Sequence, residues 1–169
     1  MNAQGRLLAR HLHNIPAGHL EWIGIRPARK APMISLTEVN AIAELGLEGD
    51  RRCDSRPGSA RQVTLINREH ITLISGLLNK STISPELLRR NLVVTGINLL
   101  ALRHQRFRIG EVEFEGTALC HPCLRMEQAL GQGAVAAMLG HGGLCAKITT
   151  NGTIRLGDQV EKLAEPSQS

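Results

Sequence analysis

Apolar and polar residues alternate along several short stretches of the chain, which is the pattern expected of strands that bury one face. Glycine, proline or asparagine bounds most of these stretches and supports their assignment as strands. Asn151-Gly152 stands between two of them, and such a pair predicts a tight β-hairpin. The predicted strands are residues 20–25, 33–39, 61–66, 91–96, 107–110, 111–118, 144–150, 153–156 and 160–163.

Helical spacing of apolar residues is confined to a few short segments. Asn67 can cap a helix through residue 78, and Ser84-Pro85-Glu86 is a start signal for a shorter helix. Two more short helices are predicted over residues 124–130 and 134–139. Because strands and long helices do not alternate, a doubly wound fold is disfavoured. We therefore predict a mainly β protein with short helices (α+β), arranged as a β-barrel.

The length of 169 residues fits one domain with a sizeable core. We assign that domain to residues 20–164, an N-terminal arm or short helix to residues 1–19, and a polar tail to residues 165–169. Residues 1–19 lack a continuous apolar run, and the four cysteines fit a reducing compartment. The expectation is a soluble cytoplasmic protein without a membrane segment.

Composition narrows the class of partner. Aromatic residues make up 2% of the chain, with one Trp and no Tyr, so a surface that stacks nucleic-acid bases is not expected. The net charge of +5 favours an anionic partner, and a small phosphate-bearing molecule fits as well as a polyanion does.

The candidate chemistry centres on Cys120-His121-Pro122-Cys123, between a predicted strand and a predicted helix. Pro122 favours a tight turn followed by the opening of the helix. Cys123 would then lie at the helix N-terminus, where free N–H groups and the macrodipole favour a thiolate. Arg125 adds a positive charge nearby. The sequence therefore predicts a reactive cysteine at position 123.

Three other interpretations of these cysteines stay open. Both thiols can simply pack in the core, as free cysteines often do. A zinc site would need two further ligands, for which His121, His141, Cys145 and Cys53 are available without the usual ligand spacing. A redox dithiol of the thioredoxin kind would need the motif near the start of a βαβ unit, whereas here it follows β-rich sequence.

Three polar clusters fall at the ends of predicted strands: Arg61-Gln62, Arg89-Arg90-Asn91 and Cys120 to Cys123. Guanidinium groups match phosphate geometry, and an Asn amide can pair with the edge of a heterocycle. A soft thiolate beside them suits a transition metal carried on an anionic organic cofactor. Taken together, the clusters predict one binding pocket.

In these motifs the sequence resembles the MOSC domains, named for the C-terminal domain of molybdenum cofactor sulfurase. The resemblance runs from about Gly24 to Leu163 and depends on the order and spacing of several loose motifs. These motifs are Gly46 to Asp50, Arg61-Gln62-Val63, Arg89 to Val94, Ile109-Gly110, Pro122-Cys123 and Gly152 to Asp158.

The resemblance implies a barrel-like fold that binds molybdenum cofactor, an anionic pterin with a phosphate tail. It implies that Cys123 is the metal ligand and that Arg89 and Asn91 bind the pterin and phosphate. We place Arg61, Gln62, Arg125 and Cys120 in the same predicted cofactor site. Some relatives have Arg where this chain has Cys120, which makes a sulfur relay or an internal disulfide with Cys123 an added possibility.

Two functions follow from the resemblance. The first is an oxidoreductase that reduces N-hydroxylated compounds and takes electrons from a partner reductase. The second is a non-enzymatic sulfur carrier that holds a persulfide on Cys123 and receives sulfur from a partner desulfurase. The chain resembles no pyridoxal phosphate domain, so it is not expected to abstract sulfur from cysteine itself.

Overall fold

The computed structural model describes residues 7, 8 and 10–164. Between residues 18 and 164 the chain forms eleven strands and four α-helices, with short 3₁₀ helices at Arg51–Asp54 and Leu99–Leu102. The strands are β1 (Gly18–Ile25), β2 (Ile34–Leu36), β3 (Glu38–Ile42), β4 (Gly46–Leu47), β5 (Val63–Asn67), β6 (Leu92–Thr95), β7 (Arg106–Ile109), β8 (Val112–Leu119), β9 (Leu144–Ile148), β10 (Gly152–Arg155) and β11 (Gln159–Lys162). The helices are α1 (Arg68–Leu77), α2 (Pro85–Leu88), α3 (Leu124–Leu130) and α4 (Ala134–Met138).

Seven of these strands close into a barrel. They follow one another in the order β11, β7, β8, β9, β5, β6 and β1, and β1 pairs again with β11 to complete the ring. Closure leaves none of the seven with an unpaired edge along its whole length. β2 extends the sheet outside the ring, and β10, β3 and β4 form a separate small sheet. The predicted mainly β, barrel-like fold is confirmed.

The parallel pairing of β5 with β6 requires a crossover, and the chain uses α1 and α2 for it. Successive side chains of β5 and β6 point to opposite faces of the sheet, so each strand contributes to two separate parts of the core. Leu65 and Leu92 point into the barrel, whereas Ile66 and Val93 pack outside it among the four helices. Every residue of β5 is buried because both of its faces are covered.

Two strand predictions were wrong in detail. The stretch predicted as one strand over residues 33–39 is divided at Thr37 into two strands, β2 and β3. These two strands belong to different sheets. Asn151-Gly152 does not close a hairpin, because β9 stays in the barrel while β10 pairs with β3. The Asn151 side chain instead accepts a hydrogen bond from the Ala43 N–H at 2.7 Å. The turn predicted at Ile109-Gly110 does join paired strands, with Gly110 at φ +56°.

The predicted arm of residues 1–19 is only partly described, since residues 1–6 and 9 lie outside the described part. Its described portion includes a 3₁₀ helix at Leu12–Asn14, and β1 begins at Gly18. The predicted tail, residues 165–169, also lies outside the described residues. No helix in the described part has the length and apolar character needed to cross a bilayer.

Candidate functional site

Residues 120–123 form no helix, strand or turn, so the tight turn predicted at Pro122 is wrong. The predicted place of the motif between a strand and a helix is confirmed, since β8 stops at Leu119 and α3 starts at Leu124. Cys123 is the N-cap residue of α3, as predicted, and it is exposed. Cys120 is 2% exposed. The two cysteines of the motif therefore occupy different environments.

Cys120 lies against positive charge and against a third cysteine. The Arg61 guanidinium donates to its sulfur at 3.4 Å. The Cys145 thiol donates a hydrogen bond to it, and this bond, with the charges of Arg90 and Arg61, lowers the pKa of Cys120 to about 6 in spite of its burial. The same bond, together with burial, raises the pKa of Cys145. Within the pair, the pKa of Cys120 is therefore the lowered one and that of Cys145 the raised one.

Arg90 is the buried cation of this region, with 5% of its surface exposed. Its Nε donates to the Gly142 carbonyl at 2.8 Å and its Nη1 to the Leu88 carbonyl at 2.9 Å. Its Nη2 is buried and has no hydrogen-bond partner among the described residues. Burial lowers the pKa of Arg90, and the nearby sulfurs of Cys120, Cys145 and Cys123 oppose that shift. An unpaired buried guanidinium N–H is the feature expected of a site that receives an anion.

The loop at Gly142-Gly143 brings these groups together. A side chain at Gly142 would place its Cβ 2.1 Å from the Cys120 carbonyl oxygen, and one at Gly143 would place it 1.9 Å from the Leu65 carbonyl oxygen. Gly143 also adopts φ +101°, and its carbonyl accepts from the Cys120 N–H at 2.8 Å. Only glycine permits this approach of the loop to the cysteine segment.

Asn91, predicted to bind the cofactor, has its amide committed within the protein. Its Nδ2 donates to the Gly24 carbonyl at 3.1 Å and to Asp50 at 2.9 Å. Its Oδ1 accepts from the Thr64 N–H at 3.1 Å and from the Arg26 guanidinium at 3.3 Å. Asn91 is 1% exposed. It therefore fixes Arg26 and Asp50 and leaves no free amide group for a ligand.

Gln62 is likewise committed to the protein. It is buried, its Nε2 donates to the Ser59 carbonyl at 2.8 Å, and its Oε1 accepts from the Ile148 N–H at 2.8 Å. These bonds fix the chain just before β5, which begins at Val63. Its neighbour Arg61 is exposed and projects toward Cys120.

Arg89 is half-buried and lies at the end of α2 in the left-handed region, at φ +58°. Its guanidinium donates to the Ala31 carbonyl at 2.7 Å. Burial lowers the pKa of Arg89, and the charges of Arg26, Arg125 and Arg51 lower it further. The predicted residues Arg89 and Arg125 thus lie close enough to interact, and Arg125 is exposed.

The sequence prediction did not include Arg26, Arg52 or Cys145 in the site. Arg52 donates to the Arg61 carbonyl at 3.1 Å, and its buried Nε has no partner among the described residues. Burial lowers the pKa of Arg52, followed by the charges of Arg26 and Arg61. The sequence signal for Arg26 and Arg52 was weak, because each sits in a polar loop where a solvated charge is the ordinary expectation. Cys145 was considered only as a candidate zinc ligand and otherwise gave no signal apart from its place in an apolar strand.

Comparisons with known proteins give one family model and several solved structures of similar fold. A model of the MOSC domain matches residues 50–161. The solved structure of YuaD from Bacillus subtilis aligns with a TM-score of 0.74 and 18% identity over 88% of this chain and 97% of that one. YiiM from Escherichia coli aligns with a TM-score of 0.67 and 19% identity over 89% of this chain and 72% of that one. A search of curated proteins gives no match. At such identities the structural matches establish the fold alone.

Proposed function

The chain belongs to the MOSC domain family, whose members are associated with molybdenum cofactor, and from this premise we propose that it binds that cofactor and reduces N-hydroxylated compounds. Cys123 is the proposed metal ligand. The arginines around Cys120 are the proposed clamp for the anionic pterin and its phosphate. Electrons would come from a partner reductase, because the sequence has no recognisable flavin or iron–sulfur motif.

The observation that carries the proposal is the buried Nη2 of Arg90, which has no partner among the described residues. A buried donor of this kind is costly unless a ligand completes it. Arg52 presents a second such donor at its Nε. Guanidinium groups suit phosphate oxygens, which accept in a forked geometry. The residues present therefore fit an anionic, phosphate-bearing group.

The thiols fit the metal end of the same group. Cys123 is exposed at the start of α3, and its side chain is not used to cap that helix. A soft sulfur ligand with no competing bond is suited to a transition metal. When bound, the cofactor would supply a metal centre that cycles between two oxidation levels and accepts an oxygen atom from the substrate.

The chain itself would bind and orient. Arg89 and Arg125 would face the anionic part of the cofactor from the side of α2 and α3. Asn91 and Gln62 would act indirectly, because their amides hold Arg26 and the start of β5 in place. These roles separate residues that touch a ligand from residues that position them.

A sulfur carrier is the second candidate function, and the exposure of Cys123 favours it. A persulfide carrier needs a thiol that a donor desulfurase and an acceptor can both reach. Cys123 meets that need, whereas Cys120 and Cys145 are buried. In this function the arginines would interact with an anionic acceptor rather than hold a resident cofactor.

Metal analysis of the full chain, purified from a host that makes molybdenum cofactor, tests the proposal. We expect stoichiometric molybdenum that is lost in Cys123→Ser. Cys53→Ser is the matched control, since the Cys53 thiol bonds to the Leu47 carbonyl at 2.9 Å and is not among the sulfurs near Arg90. Molybdenum should remain in that control.

Two results would count against the oxidoreductase. Protein without molybdenum that carries cyanide-releasable sulfur dependent on Cys123 would favour the carrier. Stoichiometric zinc lost in Cys123→Ser would contradict both functions.

A further inference from the structure

We propose that Cys120 is a second reactive thiol, which accepts a sulfane sulfur from a small dianionic donor such as thiosulfate and holds it as a persulfide. This reaction needs no cofactor and goes beyond the function proposed for Cys123. It makes the buried Cys120–Cys145 pair a sulfurtransferase site.

The arrangement of polar groups distinguishes Cys120 from the other cysteines. Arg61 donates to its sulfur at 3.4 Å, and the neighbouring Cys145 thiol and the charge of the buried Arg90 both lower its pKa. Cys123, by contrast, is exposed, and its side chain does not cap α3. The thiolate form is therefore favoured at Cys120, in agreement with its lowered pKa.

The strand register disfavours a disulfide between Cys120 and Cys145. Ala118 lies opposite Cys145 and Leu119 opposite Leu144, so Cys120 and Cys145 are diagonal neighbours on one face. Diagonal Cα atoms are about 7–8 Å apart, beyond the usual disulfide range of about 4.4–6.8 Å. Cys120 and Cys123 are both free thiols in the structure, the first buried and the second exposed.

The separation of Cys120 from Cys145 matters because a persulfide survives only if no second thiolate attacks it. A neighbouring thiolate in reach would displace the outer sulfur as sulfide and leave a disulfide. The internal disulfide between Cys120 and Cys123 that the sequence allowed is not formed in the structure, where both thiols are free. A persulfide on Cys120 would therefore last until an external acceptor removes the sulfur.

The chemistry balances without an oxidant. The Cys120 thiolate attacks the outer sulfur of thiosulfate, a new S–S bond forms, and the S–S bond of the donor breaks. The electron pair of that bond leaves with sulfite, so the products are the Cys120 persulfide anion and the sulfite dianion. Three negative charges are present before and after the step. The guanidinium groups of Arg61 and Arg90 offset charge on the donor and on the leaving group.

Access depends on Arg61. Cys120 is 2% exposed, and the Arg61 side chain that contacts its sulfur is itself exposed. Within the described part of the chain, the Arg61 guanidinium has no other side-chain partner in the hydrogen-bond network. Rotation of this side chain would uncover the sulfur and keep a positive charge beside the incoming dianion.

The test uses the full chain, reduced and purified from a host that does not make molybdenum cofactor. The protein is incubated with thiosulfate, freed of excess donor, and treated with cyanide to release bound sulfur as thiocyanate. Peptide mass spectrometry of the untreated adduct locates the added sulfur. We expect it on Cys120 in the unmodified chain, lost in Cys120→Ser and kept in Cys123→Ser.

Arg61→Gln should slow sulfur uptake by about tenfold, because it removes a charged donor from the thiolate. Arg68→Gln is the matched control, since Arg68 pairs on the surface with Glu21 and should leave uptake unchanged. Sulfur mapped to Cys123, an intramolecular disulfide, or no uptake by the unmodified chain would each overturn the proposal. Mapping on the unmodified chain keeps the test valid if a variant fails to fold. Because no molybdenum is involved, its outcome is independent of the cofactor assay.

Discussion

Asp50 is the residue through which the fold most directly supports the site. Its carboxylate accepts from the Arg26 backbone N–H at 2.9 Å and from the Arg26 Nε at 3.4 Å. It also accepts from Asn91 at 2.9 Å and from the Arg52 N–H at 3.0 Å. The Asp50 side chain is 1% exposed and that of Arg26 is 7% exposed. Asp50→Ala removes all four acceptor contacts at once.

The size of the effect follows from the burial of the pair. Removing one partner of a buried ion pair costs about 3–5 kcal/mol, because the other charge stays buried without compensation. The Arg26 Nε to Asp50 distance of 3.4 Å is long, which places the expected loss near the lower end. For a domain of this size each kcal/mol lowers Tm by about 2–4 °C. We expect Asp50→Ala to lower Tm by roughly 6–12 °C.

A double substitution shows whether the Arg26–Asp50 pair stabilises the fold or only offsets the cost of burying its two charges. Burial is the largest influence on the pKa of Arg26 and lowers it, and the Asp50 charge only opposes that effect. Asp50 therefore mainly offsets the cost of burying Arg26. Replacing both residues, as Arg26→Met with Asp50→Leu, should cost less than Asp50→Ala alone.

Urea denaturation followed by circular dichroism measures these changes. Asp54→Ala is the matched control, because Asp54 is an exposed carboxylate in the same 3₁₀ helix. It should change the unfolding free energy by less than about 0.5 kcal/mol. A loss below about 1 kcal/mol in Asp50→Ala would refute the reasoning, since it would mean that Arg26 finds compensation elsewhere.

Two further predictions concern stability near the cysteines. The pKa of Cys120 lies at about 6, below the ordinary value of 9.0, so its contribution to stability is complete above pH 9 and is lost as the pH falls through 6. Cys145, whose pKa is raised, makes a contribution to stability that is present below pH 9 and is lost as the pH rises above 9. Relative to the double variant Cys120→Ser, Cys145→Ser, the unfolding free energy should therefore peak near pH 9; a flat difference in urea titrations from pH 5 to 10 would contradict this. Gly143→Ala should lose about 3 kcal/mol or more in the same assay, because of its φ of +101° and the Leu65 carbonyl 1.9 Å from its Cβ. Gly140→Ala, at φ +79° with nothing within 4 Å, should lose only about 1 kcal/mol, and equal losses would contradict the role of close approach.

Local sequence patterns predicted most helices and strands well, because the formation of these elements depends largely on residues that are neighbours in the sequence. The helix after Asn67 and the helix after Cys123 both occur, with bounds within a residue or two of those predicted. Pairing between strands depends on distant residues, and there the local signal failed. Asn151-Gly152 is a residue pair typical of hairpins, yet β10 pairs with β3 in a second sheet and not with β9.

The site divides in the same way. Cys123 could be placed at a helix start from its local sequence, and the structure has it there. The burial of Arg90 and the contact between Cys120 and Cys145 depend on the Gly142-Gly143 loop and on barrel closure, which no local pattern contains. For the same reason the sequence predicts Asn91 as a ligand-binding amide, whereas in the fold its Nδ2 donates to Gly24 and Asp50.

The unpaired Nη2 of Arg90 connects the stability of the fold to the ligand. Leaving a buried donor without a partner costs about 1–3 kcal/mol, and a sequence selected for stability alone would avoid it. Arg90 already uses Nε and Nη1 to hold the Gly142 and Leu88 carbonyls, so the third nitrogen is fixed in direction as well as buried. An anion that pairs with it recovers that cost on binding and stabilises the folded chain by an amount that grows with the logarithm of its concentration relative to its Kd. The orphaned nitrogen is therefore better explained by a ligand than by the packing of the barrel.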